Sequence, residues 1–487
     1  MPPLIVPESF ALVLAACSGC FTTPPYRVFC QLVAGWLHCA GRHTVTGVAV
    51  AAGHGVVGWR HISAFHRFFG RAKWAPDALG KVVFTVALRA LPAGWPIILL
   101  LDDSLARKAG KAIALGSMHH DPLLSQGRKA FSSYGHVWVV LAIWLPLPFG
   151  VSGAPRGVAV PIVFRLFIGS QRGNRKDAPS RPTSGKRYQR AQQAFPTDAA
   201  QRPTKPELAR AVIALVAGWA AALAPERTVY VVGDTAYVNR TTVEGRPSNV
   251  EGLGPIRMDA ALYTPPPLRQ PGQKGRPRKR GDRLPTPAMQ AQARQHWHAL
   301  PVTLSGRTVR PLVFRGTALW YSVLRAAPVR YIVVRDPSGR RRDTTFCCTD
   351  RRVSAAFILE TYACRWTLEV TVLLLKGLLG FEDPQNQTAT AVRRTAPFAG
   401  LVFALVVWWY AAELQAGRAV TWVVHPWYRR KATPSFTDVL ATLRQQGVAT
   451  ATAASWCLPV GLLAPACPPR RRQKTRRPRH FTRTALR

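Results

Sequence analysis

Acidic side chains are scarce in this chain, 23 against 66 basic ones, so the places where carboxylates close an apolar run stand out. WPIILLLDDS ends in Asp102 and Asp103, and TVYVVGD ends in Asp234. Short aliphatic runs bounded by turn residues read as buried strands, so both acids sit at strand ends. A third group lies in ETYACRWTLEVTVLLLKGLLG, where Tyr362, Arg365, Glu369 and Lys376 are spaced at offsets of 0, 3, 7 and 14. At about 100° per residue these fall within an arc of about 60° on one helix face. Leu368, Val370, Val372, Leu374 and Leu375 occupy the other faces, which predicts a buried helix with one polar stripe. Burying such charges unpartnered costs several kcal/mol each. Arg365 and Glu369, four apart, can simply pair with each other. Alternatively the strand ends bring Asp103 and Asp234 together and the stripe supplies Glu369. Three converging carboxylates repel and are best neutralised by divalent metal. Two Mg²⁺ ions about 3.5–4 Å apart can activate a water and stabilise the leaving 3′ oxygen of a phosphodiester. Arg365 and Lys376 would then hold flanking phosphates.

The elements that must position these groups follow from the rest of the chain. Its 487 residues correspond to about three units of ordinary size. A composition 48% hydrophobic and 18% charged excludes wholesale disorder. The net charge of +43 calls for a polyanionic partner, nucleic acid before others. Nine cysteines are too few, and odd in number, for a disulfide framework, which points to a reducing compartment. The opening MPPLIVPESFALVLAACSGC resembles a lipoprotein cleavage box, but it lacks an early Lys or Arg, and Pro7 and Glu8 interrupt it; it is not read as a signal. Thr395–Ala412 is uncharged and long enough for a membrane span. Because it stands alone, it is read as the buried helix of a large core, and no membrane is expected.

Residues 1–93 read as helical, a DNA-binding region, with Thr44 or Thr46 opening one helix as a cap. Residues 94–264 hold the strands ending in Asp102, Asp103 and Asp234, with HVWVVLAIWLPLP and GVAVPIVFRLFI between them, a Pro- and Arg-rich loop at 170–206 and a strand in GPIRMDAALYT. Residues 265–350 begin with QPGQKGRPRKRGDRLP, in which Lys274, Arg276, Arg278, Lys279 and Arg280 suit a phosphate-tracking loop. A β-rich insertion including ALWYSVLR follows. Residues 351–420 carry the Glu helix, and 421–487 are helical with a tail of nine Arg/Lys and no acid, expected to lie along DNA.

Tyr-x2-Arg-x3-Glu-x6-Lys at 362, 365, 369 and 376 resembles the Y-R-E-K signature of DDE transposases of the insertion-sequence four family. LLLDDSLARKAGKAIALGSMHHDPLLS is similar to that family's first catalytic block and VVGDTAYVN to its second, so the resemblance runs from about Phe68 to Trp427. It implies an α/β, ribonuclease-H-like catalytic core interrupted by a β-rich insertion, with helical N-terminal and C-terminal regions. It also implies cut-and-paste transposition: hydrolysis at the ends of a mobile element, often through a hairpin, then attack of the 3′-OH on target DNA. The catalytic and metal-binding acids would be Asp103, Asp234 and Glu369, with Mg²⁺ or Mn²⁺ as two ions and no small-molecule cofactor. Asp103 is chosen over Asp102 because the family's ligand directly precedes Ser or Thr; Asp102 would point the other way. Tyr362, Arg365 and Lys376 would contact DNA, and Trp320 would stack on a flipped base. The expected partners are element ends and target DNA, held by a homodimer, in the cytoplasm on the bacterial nucleoid. The rival reading is a repurposed, catalytically inactive DNA-binding protein.

Two weaker signals remain. Cys17, Cys20, Cys30, His38 and Cys39 could form a zinc site, but the second half lacks ligand spacing and buried structural thiols are the preferred reading. His119 and His120 receive no role. No phosphate-cradling Gly loop or Ser/His/Asp arrangement is present.

Overall fold

The computed structural model describes residues 6–456 except 54–61, 111, 126–128, 149–156, 170–201, 270, 272–273, 305, 419, 421–425, 427–430 and 432. The basic C-terminal tail and most of the 170–206 loop lie outside the described residues.

Five helices come first: α1 (Glu8–Ala15), α2 (Thr23–His38), α3 (Val45–Ala51), α4 (Ser63–Gly70) and α5 (Pro76–Ala90). Thr44 caps α3, its hydroxyl accepting the Gly47 N–H at 3.1 Å. The apolar runs then become β1 (Ile97–Arg107), β2 (Ser117–His120), β3 (Ser132–Leu145) and β4 (Val158–Phe167). After α6 (Lys205–Leu223) come β5 (Val229–Val232), the short α7 (Arg240–Val243) and β6 (Val250–Ile256). A capping box starts α6: Thr204 and Glu207 satisfy one another's backbone N–H, with a proline in the first turn.

Strand order explains the architecture. β3 runs antiparallel between β1 on one side and β4 on the other, while β5 and β6 continue from β1 in parallel. The order β4-β3-β1-β5-β6, with helices packed against it, is a ribonuclease-H-like core. β1, β3 and β5 are buried runs because helices cover them, as parallel and central strands require.

The sheet does not stop at β6. The insertion contributes α8 (Pro287–Ala293), β7 (His298–Ala299), the hairpin β8 (Val302–Leu304) and β9 (Arg307–Val309), β10 (Leu312–Leu319), α9 (Tyr321–Leu324), β11 (Pro328–Arg335) and β12 (Thr344–Cys348). β12 pairs antiparallel with β6, and β11, β10 and β7 follow, so core and insertion share one ten-stranded sheet. Two local readings are corrected. GPIRMDAALYT is extended only to Ile256, the strand having begun at Val250. ALWYSVLR is the end of β10 followed by α9 rather than one strand. Within that strand a Cβ at Gly254 would come within 2.4 Å of the Gly233 carbonyl, so the close approach there needs glycine.

The last elements are α10 (Ala355–Ala363), α11 (Trp366–Leu378), α12 (Ala389–Gln415) and α13 (Phe436–Trp456). By length and composition α6 and α12 could each cross a membrane; α12 is largely buried, packed on β4 and α5. Its Phe398, Trp409 and Tyr410 join Trp36, Phe68 and Trp138 in the principal core, and a smaller core around Phe314, Tyr331 and Leu262 serves the insertion.

Candidate active site

β1 carries Asp102 and Asp103 opposite Val140 and Val139 of β3. Successive strand residues point to opposite faces, and the two carboxylates find different partners. Asp102 Oδ2 accepts from Arg365 Nη1 at 2.8 Å, across 263 residues of sequence. The other nitrogen, Nη2, lies 2.7 Å from Glu369 Oε1, so one guanidinium bridges the β1 acid and the helix acid. Asp103 instead accepts from Lys205 Nζ at 2.7 Å and from Tyr237 Oη at 2.8 Å. The ion pair therefore ties Asp102, rather than Asp103, to Glu369.

Asp234 lies two residues past β5. Its Oδ1 accepts the N–H groups of Ala236 and Tyr237 at 2.9 and 3.2 Å, a turn that folds the buried Tyr237 back towards Asp103. Burial pushes the Asp102 carboxyl up to about 6; Arg365 opposes the rise, and the negative charges of Asp234 and Asp103 add to it. Burial, then Asp103, raises the Tyr237 phenol well above its usual value. The three aspartates thus share one electrostatic neighbourhood, with Glu369 joined to it through Arg365.

The polar stripe is not one straight helix. α10 ends at Ala363 and α11 begins at Trp366, with Cys364 and Arg365 in helical conformation between them. Backbone N–H groups at this junction bond three residues back, which tightens the turn. Tyr362 does not line the cleft; it packs on Phe346 of β12, ring centroids 4.6 Å apart, with the Arg365 guanidinium 5.8 Å from its ring. Lys376 donates to the Leu105 carbonyl at 2.6 Å and lies 3.4 Å from Glu382 Oε1, which itself accepts the Arg107 N–H. It is held against β1, farther along the strand than the acids.

An open cleft of about 940 Å³ is lined among others by Asp102, Asp103, Glu369, Lys205, Lys376 and the exposed Trp366. Asp234 is not among the residues lining it. His119 also lines it; burial, then the charge of Lys205, pushes this imidazole down to about 4. His120 pairs with Ser125.

The expectation that the first acids close their strand is corrected, since β1 runs on to Arg107. The donor chemistry, carboxylate oxygens from the middle of β1, the turn after β5 and a helix, still fits a hard divalent cation. As they stand, Asp102 and Glu369 are turned to Arg365, and Asp103 to Lys205. Among the described residues no group of three His, Cys, Asp or Glu side chains is placed to hold an ion. Any ion bound by these carboxylates would have to compete with Arg365 and Lys205.

The other expected site residues lie in the insertion. Arg280 is exposed and stands over the rings of Tyr263 and Tyr321 at 4.1 and 5.0 Å. Lys274, Arg276, Arg278 and Lys279 are exposed on the same loop. Trp320 packs, half-buried, on the insertion's own core and does not line the cleft. Cys17, Cys30 and Cys39 are buried free thiols, and burial pushes Cys17 up to about 12.

Sequence reasoning missed Lys205, Tyr237 and Glu382. Asp234 as a turn-forming Asp was a local signal for the bend that carries Tyr237, though not for its contact with Asp103. Lys205 and Glu382 are placed by long-range packing and carry no local signal.

Comparison with known proteins gives the family. No curated protein matches the chain. A solved structure of a piggyBac transposase synaptic complex with hairpin DNA aligns over 94% of this chain and 79% of that one, at 8% identity and a TM-score of 0.38, too distant to carry fold or function across. The family model described as DDE superfamily endonuclease matches residues 18–311, more than half of the chain, taking in Asp102, Asp103 and Asp234 and ending before Glu369. The chain belongs to the DDE superfamily of endonucleases.

Proposed function

We propose that this chain is a DNA transposase of the insertion-sequence four type, cutting the ends of a mobile element and joining them to target DNA. The observation that supports this reading above others is the Arg365 bridge between Asp102 and Glu369, which draws the Glu helix to the strand carrying the first acidic block. Asp234, Glu369 and a carboxylate of the Asp102–Asp103 pair would hold two Mg²⁺ or Mn²⁺ ions. When bound, such ions supply an activated water and stabilise the departing 3′ oxygen. Arg365 and Lys376 grip phosphates beside the scissile bond, Tyr362 steadies the junction between α10 and α11, and Trp320 offers a ring to a displaced base. The exposed basic loop from Lys274 to Arg280 tracks the DNA backbone. The active species is a homodimer on paired element ends, in the cytoplasm at the nucleoid.

For the β1 ligand, the sequence resemblance favours Asp103, and the ion pair to Arg365 favours Asp102. The test of the function is cleavage of a supercoiled plasmid carrying the coding region with its natural flanks, in Mg²⁺. Wild type nicks it, and Asp234→Ala abolishes nicking while leaving DNA retention intact. Equal cleavage by the alanine variant overturns the site, and retention without cleavage by wild type favours the repurposed DNA-binding protein.

A further inference from the structure

Lys205 belongs to none of the three acidic blocks, yet it stands in the same cleft. Its Nζ is 2.7 Å from Asp103 Oδ2, with side-chain exposures of 37% and 24%. The capping box and proline fix its backbone at the head of α6, and its ammonium lies 5.7 Å from the Phe167 ring centroid. Tyr237 holds the second oxygen of the same carboxylate from the buried side. Asp103 is thus anchored on one oxygen by a buried hydroxyl and on the other by a half-exposed, flexible cation. An ion pair this accessible contributes little to stability and exchanges readily. A compact ammonium on a four-carbon stem can swing towards any anion entering the cleft. Arg365, less exposed and bonded to two carboxylates at once, is the more firmly held of the two cations.

We propose that Lys205 is an exchangeable counter-ion: it neutralises Asp103 in the free protein and passes to a DNA phosphate when a divalent cation takes its place beside that carboxylate. This rests on the metal-dependent reading above. It predicts opposed effects of one substitution, which loss of structure would not produce.

The experiment uses the full chain, with Ca²⁺ as the cation and a duplex oligonucleotide as the DNA. Calorimetric titration compares wild type with Lys205→Gln, Lys205→Met as a second neutral replacement, and Lys205→Arg. Both neutral variants should bind Ca²⁺ about fivefold more tightly, because a competing positive charge is gone. In chelator, DNA affinity should match wild type. In Ca²⁺, it should be weaker, with the slope of log affinity against log salt shallower by about 0.9. Lys205→Arg should restore the wild-type DNA response. Lys81→Ala, an exposed lysine on α5 outside the cleft, should leave the Ca²⁺ affinity unchanged. Unchanged or weaker Ca²⁺ binding by both neutral variants, or equal loss of DNA affinity with and without Ca²⁺, overturns the role of Lys205 alone. Failure of wild type to bind Ca²⁺ overturns this role together with the metal-dependent reading.

Discussion

The two halves of the shared sheet manage positive charge in different ways. In the core half, cations sit on carboxylates: Arg365 on Asp102 and Glu369, Lys205 on Asp103, Arg107 on Asp121. In the insertion half, Arg280 stands over Tyr263 and Tyr321 and Arg294 over Phe314 at 5.0 Å, while Arg335 combines both modes, over Trp297 at 4.2 Å and paired with Asp343 at 2.7 Å. A guanidinium on a ring keeps its edge free for phosphate, since the ring occupies only its face. One paired to a carboxylate must first leave it. Under the proposed function, Arg280 would meet a phosphate as it stands, whereas the core cations would be released only after their acids acquire another counter-charge.

The comparison breaks first at the core carboxylates. If Asp102 is the β1 ligand, Asp102→Asn should reduce plasmid cleavage by more than about a hundredfold, and Asp103→Asn, the loss of a supporting partner, by about ten- to a hundredfold. The reverse order returns the role to Asp103. Single-turnover cleavage rates decide between them.

A smaller effect is expected in stability. Asp121 is buried and receives Arg107 Nε and Nη2 at 2.7 and 3.0 Å, Ser133 Oγ at 2.6 Å and the Leu123 N–H at 3.2 Å. Arg107 above all holds its carboxyl well below the usual range. Because this value is lower folded than unfolded, the stabilisation is fully present above about pH 4 and is lost as the pH falls further. Asp121→Asn should cost about 3–5 kcal/mol at neutral pH, and urea titration should show the gap to wild type closing in acid.

The smallest effect sharpens the insertion side. Tyr263→Leu removes one ring beneath Arg280 and should cost about 0.5–1 kcal/mol in stability, while the rate of cleavage in the core cleft is unaltered. A cleavage defect as large as that of Asp103→Asn would erase the distinction between the halves.

How much of this was legible in the sequence depends on the range of the physics. Asp102, Asp103 and Asp234 were readable because each closes an apolar run; the continuation of β1 past its acids to Arg107 and the order of the strands were not. The Arg365–Glu369 contact was readable from helical spacing. The break at Arg365 was not, because helical dihedrals persist through it and only the hydrogen-bond pattern changes. The resemblance chose Asp103 over Asp102, but the partners that distinguish the two, Arg365 on one and Lys205 and Tyr237 on the other, were not legible. α9 was hidden because YSVL suits an extended or a helical turn equally well.

Continuity of the sheet through β6 and β12 has a mechanical consequence. A domain grafted into a loop would swing on its tethers, but this one is hydrogen-bonded to the core, strand against strand. A pull on the insertion's arginines would pass through β12 to β6, and from there to β5, at whose end Asp234 stands. Grip at the periphery and alignment at the centre would then be one elastic event.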